Sequence, residues 1–136
     1  MTRVVDASLV VAALVDAGPD GRWAESELVS GPLAAPHLLL VEVANILRRA
    51  VRTGVVPGEI AGLAHADLLD LNVELFPYEL VASRVWGLRA TVTAYDAWYV
   101  ALAEQLDAPL ATLDRKLSRA PGPRCTFRLP PRKRTE

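Results

Sequence analysis

Four acidic residues in this sequence lie at positions where their side chains could bind a metal ion together. Asp6 follows the β-branched pair Val4-Val5 and precedes an apolar helix, Asp114 follows a second apolar run, and Asp96 opens an amphipathic helix. In a parallel α/β sheet, the places where strands end and helices begin share one edge, so we expect these three carboxylates to lie together. Each also has a simpler interpretation as a helix cap, and Thr93 with Asp96 matches a capping box.

Glu42 is the fourth acid, and it interrupts the apolar residues 38 to 47 of a helix that we predict to be buried nearly all round. Burial of an ionised carboxylate in such surroundings lowers the stability of the fold by several kcal/mol unless a cation lies next to it. Glu42 could instead reach solvent past a thin part of the core, or pair with an arginine. The sequence leaves these alternatives open.

If the four carboxylates converge, they require a cation. Two like charges about 4 Å apart cost about 4 kcal/mol at an effective dielectric of roughly 20, and a domain is stable by only about 5–15 kcal/mol. Oxygen ligands without Cys or His select Mg²⁺ or Mn²⁺ over Zn²⁺. Such an ion activates a bound water and neutralises phosphate charge, which suits phosphodiester hydrolysis. Ser8 and Thr112, two residues from Asp6 and Asp114, could hold a water or ligand, or could cap locally.

The elements that would position these acids alternate between strand and helix. Strands are predicted at residues 3–6, 33–35, 73–76, 109–112 and 125–129. Helices are predicted at residues 8–15, 22–29, 36–53, 57–71, 79–89 and 94–106, with a helical turn at 114–119. This alternation indicates a three-layer α/β/α sandwich with a central parallel sheet of four to five short strands.

Composition indicates one globular domain, residues 1–129, because the chain has 136 residues of which 51% are hydrophobic. The basic end, residues 130–136, is predicted to fray. The single cysteine, Cys125, excludes an internal disulfide and fits a reducing cytoplasm. No apolar run approaches membrane-spanning length.

Charge is distributed unevenly along the chain. Residues 1–114 carry 7 Lys/Arg and 15 Asp/Glu, whereas residues 115–136 carry 8 and 1. An acidic body with a basic end could position a polyanion beside a metal site, although the basic end could equally serve solubility. Arg115, Lys116 and Arg119 directly follow Asp114 and are the candidates for contact with a polyanion such as a nucleic acid, with a solvated helix face as the alternative.

The motifs together resemble the PIN-domain nucleases, specifically the VapC-type toxins of type II toxin–antitoxin pairs. The resemblance rests on residues 4–8 (Val-Val-Asp-Ala-Ser), 36–43, 95–103 and 110–114, in that order and across nearly the whole chain. It implies a Mg²⁺- or Mn²⁺-dependent endoribonuclease with the acidic quartet Asp6, Glu42, Asp96 and Asp114 and with Ser8 and Thr112 as supporting hydroxyls. It also implies a homodimer and a VapB-type antitoxin whose C-terminal segment covers the site.

Other classes fit the sequence less well. A haloacid-dehalogenase-like phosphatase needs a second acid two residues after the first, where this chain has Ser8. A receiver domain needs paired acids before the end of the first strand and a lysine after a late strand. A binding module that keeps the PIN fold without nuclease activity would be favoured by the loss of an acid, and all four acids are present.

Overall fold

One parallel sheet forms the centre of the molecule in a computed structural model, which describes residues 1–132. Its strands are β1 (Arg3–Val5), β2 (Leu33–Pro36), β3 (Val73–Phe76), β4 (Leu110–Ala111) and β5 (Phe127–Arg128). They lie in the order β3-β2-β1-β4-β5, and every pairing is parallel. The predicted parallel sheet of short strands is confirmed.

Helices cover both faces of this sheet. They are α1 (Ala7–Val15), α2 (Pro19–Val29), α3 (Leu39–Arg52), α4 (Gly58–Asp70), α5 (Ala82–Gly87), α6 (Ala94–Gln105) and α7 (Arg115–Ser118), with a 3₁₀ turn at Tyr78–Leu80. Helix α1 contacts α2, α3 and α4, whereas α5 contacts α6, which packs on β1, β2 and β4. This arrangement is the three-layer α/β/α sandwich that the alternation predicted.

The centre of the sheet is β1, whose Val4 and Val5 are fully buried. Val4 pairs with Ala34 on one side and Leu110 on the other, and Val5 pairs with Ala111. Helix α6 supplies the other half of this core, since all five residues from Tyr99 to Ala103 are buried. The helix that is buried nearly all round is therefore α6.

Several predicted boundaries are wrong for local reasons. Helix α2 begins at Pro19, three residues before its predicted start at residue 22, because proline is well suited to the first turn of a helix. Pro36 ends β2 instead of opening α3. The helix predicted at residues 79–89 is split into the 3₁₀ turn and α5, and Cys125 precedes β5.

A buried ion-pair triad joins α2 to two strands. Glu27 of α2, only 3% exposed, accepts hydrogen bonds from Arg3 of β1 (2.8 Å) and from Nε of Arg128 in β5 (2.5 Å). Burial alone would raise the pKa of Glu27, but the hydrogen bond from Arg128 and the charge of Arg3 outweigh burial and lower it. The triad therefore fixes α2 against the first and last strands.

Two further points concern the predicted tail and the membrane. Pro130, the first residue of the predicted tail, is buried and accepts a hydrogen bond from Arg115. The predicted tail residues 133–136 lie outside the described residues. None of the helices within residues 1–132 combines the length and apolar character needed to span a lipid bilayer.

Candidate active site

The candidate site lies at the switch point of the sheet. From β1 the chain continues to β2 and β3 on one side, then returns to β4 and β5 on the other side. The crevice outside the carboxyl ends of two such neighbouring strands is the usual ligand position in open α/β sheets. Asp6 follows β1 at this crevice, and Thr112 and Asp114 follow β4.

Asp6 is both a helix cap and the most buried of the four acids. Its Oδ1 accepts hydrogen bonds from the Leu9 amide (3.0 Å) and the Ser8 hydroxyl (2.7 Å), and its Oδ2 accepts one from Thr112. An ionised carboxylate can accept about four hydrogen bonds, so one lone pair of Oδ2 is left for another ligand. The cap and the site interpretations of Asp6 are therefore compatible.

Hydrogen bonds of the two predicted hydroxyl groups, those of Ser8 and Thr112, connect the end of β1 to the end of β4. Thr112 is fully buried, and its Oγ1 donates to Asp6 and accepts from the Asp114 amide at 2.9 Å. Ser8 Oγ donates to Asp6 and accepts from the Leu113 amide at 3.2 Å. Ser8 and Thr112 thus position the backbone that carries Asp114 relative to Asp6.

Asp96 interacts electrostatically with all three other acids. Burial raises the pKa of Asp96, and the charge of Asp114 raises it further. Burial is the main cause that raises the pKa of Asp6 and of Glu42, and the charge of Asp96 adds to both. Charge–charge interactions therefore link Asp96 to each of the other three acids, and their joint role in one site stays a prediction.

Asp96 and Asp114 also lie at helix starts, as the sequence predicted. Thr93 caps α6 and accepts a hydrogen bond from the Asp96 amide at 3.2 Å. Asp114 caps α7, and its Oδ1 accepts from the Leu117 amide at 3.0 Å. Local capping therefore fixes the backbone at both acids.

The surroundings of Glu42 differ from those we predicted. Helix α3 is not buried all round, because only Leu39, Val43 and Leu47 are fully covered, while Val41 is 68% exposed. Glu42 is accordingly half-buried in the first turn of α3, and no arginine pairs with it within residues 1–132. The prediction of an acid in a wholly apolar environment is wrong, although burial still raises its pKa.

Tyr99 lies at the candidate site, and no role was predicted for it from the sequence. Its hydroxyl donates a hydrogen bond to Glu42 Oε1 at 2.5 Å, and Tyr99 as a whole is only 2% exposed. Burial, the bond to Glu42 and the nearby charges keep the pKa of Tyr99 well above its usual value, so the hydroxyl stays a donor. The available signal was its position three residues after Asp96, on the same face of α6.

The donor set fits a hard divalent cation. Every candidate ligand is a carboxylate, and burial raises the pKa of Asp6 from its ordinary 3.8 to about 6. A cation would relieve this cost by favouring the ionised form. Within residues 1–132 no three Asp, Glu, His or Cys side chains are grouped closely enough to hold a metal as they stand. Hydrogen bonds to hydroxyl groups hold Asp6 and Glu42 in this geometry, and the metal assignment stays a prediction.

The three candidate RNA-binding residues lie just beyond the acids. Arg115 is half-buried, whereas Lys116 and Arg119 are exposed. The Arg115 guanidinium donates to the Pro130 carbonyl, and Arg119 Nε donates to the Arg115 carbonyl at 3.1 Å. Their role in RNA contact stays a prediction.

Comparison with known proteins gives a consistent assignment. The family model described as PIN domain matches residues 3–123. The chain is 42% identical over 127 residues to Ribonuclease VapC1 of Mycobacterium tuberculosis, covering 93% of this chain and 96% of that protein. This chain belongs to the VapC group of PIN-domain proteins.

Solved VapC structures share the fold at low sequence identity. The Mycobacterium tuberculosis VapC20 crystal structure, titled as a sarcin-ricin loop cleaving toxin, has a TM-score of 0.66 at 17% identity and covers 87% of this chain and 93% of its own. VapBC2 from Rickettsia felis, bound to a promoter DNA fragment, has a TM-score of 0.61 at 13% identity and covers 95% and 98%. These two similarities confirm the PIN fold.

Asp6 should make the metal-free VapC fold less stable at neutral pH. Its folded pKa lies above the unfolded value, so its favourable contribution is complete below about pH 3.8 and is lost as pH rises through about 6. At about 1.4 kcal/mol for each tenfold change in proton affinity, the full effect is about 3 kcal/mol. We expect Asp6→Asn to raise the free energy of unfolding at pH 7.5 in EDTA by about 1–3 kcal/mol.

Urea unfolding of both proteins in EDTA between pH 4 and pH 8 would measure this effect. The stability difference should grow with pH and level off above about pH 7. A difference that does not change with pH would contradict the assigned titration of Asp6. Because Glu27 and Glu104 have lowered pKa values in both proteins, their opposite pH dependence cancels in the comparison.

Proposed function

We propose that Asp6, Glu42, Asp96 and Asp114 hold Mg²⁺ or Mn²⁺ in this VapC-type endoribonuclease, and that the bound ion supports hydrolysis of RNA phosphodiester bonds. The observation that carries the proposal is the electrostatic coupling of Asp96 to the other three acids at the switch point of the sheet. A divalent cation would offset the repulsion that Asp96 exerts on Asp6 and Glu42 and that Asp114 exerts on Asp96. The chain is the toxin of a type II toxin–antitoxin pair.

Each side chain has a distinct part in this mechanism. A bound divalent ion would acidify a water molecule and neutralise charge on the phosphate. Asp6 is held in one orientation by Ser8 and Thr112, and Glu42 is held by Tyr99. Asp96 lies in the first turn of α6 beside the other acids and would orient or deprotonate the attacking water.

The partners of this chain follow from the family and from charge. The chain has an antitoxin partner. We call the edge that carries Asp6, Glu42, Asp96 and Asp114 the acidic rim. A C-terminal segment of a VapB-type antitoxin would cover this rim, and its basic side chain would neutralise the carboxylates. The substrate would be RNA, the working unit a homodimer and the compartment the cytoplasm, in keeping with the single thiol, Cys125.

Cleavage of single-stranded or looped RNA by the purified chain tests the proposal. We expect cleavage with Mg²⁺ or Mn²⁺, its loss when EDTA is added, and its recovery when excess metal is returned. Undiminished cleavage in EDTA would refute the metal assignment. Absence of cleavage with either ion, by a protein that binds Mn²⁺ in calorimetry, would favour a binding module with the same fold.

A further inference from the structure

A basic pocket opens beside Asp114, on the side of α7. It encloses about 340 Å³ and is lined by Asp20, Leu113, Arg115, Arg119, Pro130, Pro131 and Arg132. We name it the arginine pocket. Leu113 and Arg115 are the chain neighbours of Asp114, so the pocket directly adjoins the acidic rim.

Hydrogen bonds within the chain position two of the arginines that line the arginine pocket. The Arg115 guanidinium donates to the carbonyl of the buried Pro130, which fixes the segment carrying Arg132 across α7. Arg119 Nε donates to the Arg115 carbonyl at 3.1 Å. An arginine has five N–H donors, and these contacts use only one donor of Arg115 and one of Arg119.

The described residues that line the pocket carry a net positive charge. Three guanidinium groups face one carboxylate, that of Asp20, which gives a net charge of two positive. Within residues 1–132 none of these arginines forms an ion pair within 4 Å. The free donors are therefore available to an anion.

We propose that the arginine pocket binds a backbone phosphate of the RNA strand whose scissile bond lies at the acids. This inference rests on the proposed nuclease function. Planar guanidinium groups match the oxygens of a phosphate. The acidic rim repels RNA before a metal binds, so a strand needs a separate positive contact close to it. The arginine pocket supplies that contact next to Asp114.

The proposal separates the predicted basic residues into two groups. Arg115 and Arg119 line the arginine pocket, whereas Lys116 is exposed and does not. Arg132, which the sequence placed in a tail without an assigned role, joins them. Asp20 opposes an anion in the same pocket, so removal of its charge should strengthen RNA binding.

Fluorescence anisotropy of a labelled single-stranded oligoribonucleotide, titrated with the full chain in EDTA, measures binding without cleavage. We expect Arg119→Gln and Arg132→Gln each to weaken binding about threefold to tenfold. The slope of log Kd against log salt should fall by about 0.7 for each lost contact. Asp20→Asn should tighten binding. Arg119 and Arg132 are exposed, so these variants should unfold at the same temperature as the parent.

Arg52→Gln is the matched control, because it removes the same charge from an exposed position at the far end of α3. Ten residues of helix, about 15 Å, separate it from Glu42. Equal Kd values for Arg52→Gln, Arg119→Gln and Arg132→Gln would overturn the proposal, as would no RNA binding at low salt. Stronger binding of poly-glutamate than of RNA would assign the pocket to an acidic peptide instead.

The same variants separate this inference from the nuclease proposal. Arginine-dependent RNA binding by a chain that cleaves nothing would refute the nuclease function and leave the pocket intact. Metal-dependent cleavage with an unchanged KM in Arg119→Gln and Arg132→Gln would refute the pocket and leave the nuclease function intact.

Discussion

Asp96→Asn is expected to lower kcat/KM for RNA cleavage by about 10³-fold or more, or about 4 kcal/mol in the activation free energy. The amide has nearly the same shape as the carboxylate but cannot carry its negative charge. The charge of Asp96 acts on Asp6 and Glu42, and the charge of Asp114 acts on Asp96, so neutralisation of Asp96 affects the whole proposed donor set. Mn²⁺ binding measured by calorimetry should weaken in parallel with activity.

Asp107→Asn is the control for this experiment. Asp107 is exposed beyond the other end of α6 and has a positive φ of 49°, which asparagine adopts readily. The variant removes the same charge without touching the acidic rim, so cleavage should be unchanged. Full activity in Asp96→Asn would remove Asp96 from the metal site, and an equal loss in both variants would point to net charge as the cause.

Glu27→Gln is expected to cause the largest loss of stability, about 3–5 kcal/mol, with a fall in Tm of roughly 10–17 °C. The Glu27 carboxylate forms ion pairs with Arg3 and Arg128, and the Glu27 side chain is almost fully buried. The neutral amide would leave the buried Arg3 guanidinium without a counter-charge. Nε of Arg3 already lacks a hydrogen-bond partner within residues 1–132, so little compensation is available. Denaturant unfolding of the purified variant measures the effect.

Glu25→Gln provides the matched comparison on the same helix, because Glu25 is exposed and takes part in no ion pair within residues 1–132. Its stability should change by less than about 0.5 kcal/mol. Arg128→Gln should cost less than Glu27→Gln because Arg128 is nearly half exposed. Equal stability of Glu27→Gln and Glu25→Gln would show that the triad does not stabilise the fold.

The acids could be predicted from the sequence because their positions depend on local signals. Asp6 and Asp114 follow apolar strands and cap helices, and the edge that strand ends share in a parallel sheet then brings them together. The side chains that hold the acids depend on contacts between distant elements. Tyr99 reaches Glu42 across 57 residues. The Glu27–Arg128 ion pair, which lies outside the site, likewise spans 101 residues. No local pattern encodes such contacts.

The error at α3 has a similar origin. Residues 38 to 47 are mostly apolar, which predicts burial on all sides, yet several of these residues face outward. The sequence of α6 contains comparable apolar residues, and this helix is the one enclosed between the sheet and α5. Apolar composition shows that a helix can be buried, but the packing of its neighbours decides how much of it is covered.

The position of β1 between β2 and β4 has a consequence for the order in which parts of the protein fold. Asp6 and Thr112, joined by a side-chain hydrogen bond, are 106 positions apart along the polypeptide. Contacts between such distant segments form slowly, because a long loop must close before they stabilise it. Until that closure, Asp6 and Asp114 share no common location. A partly folded chain therefore does not yet contain the candidate metal site.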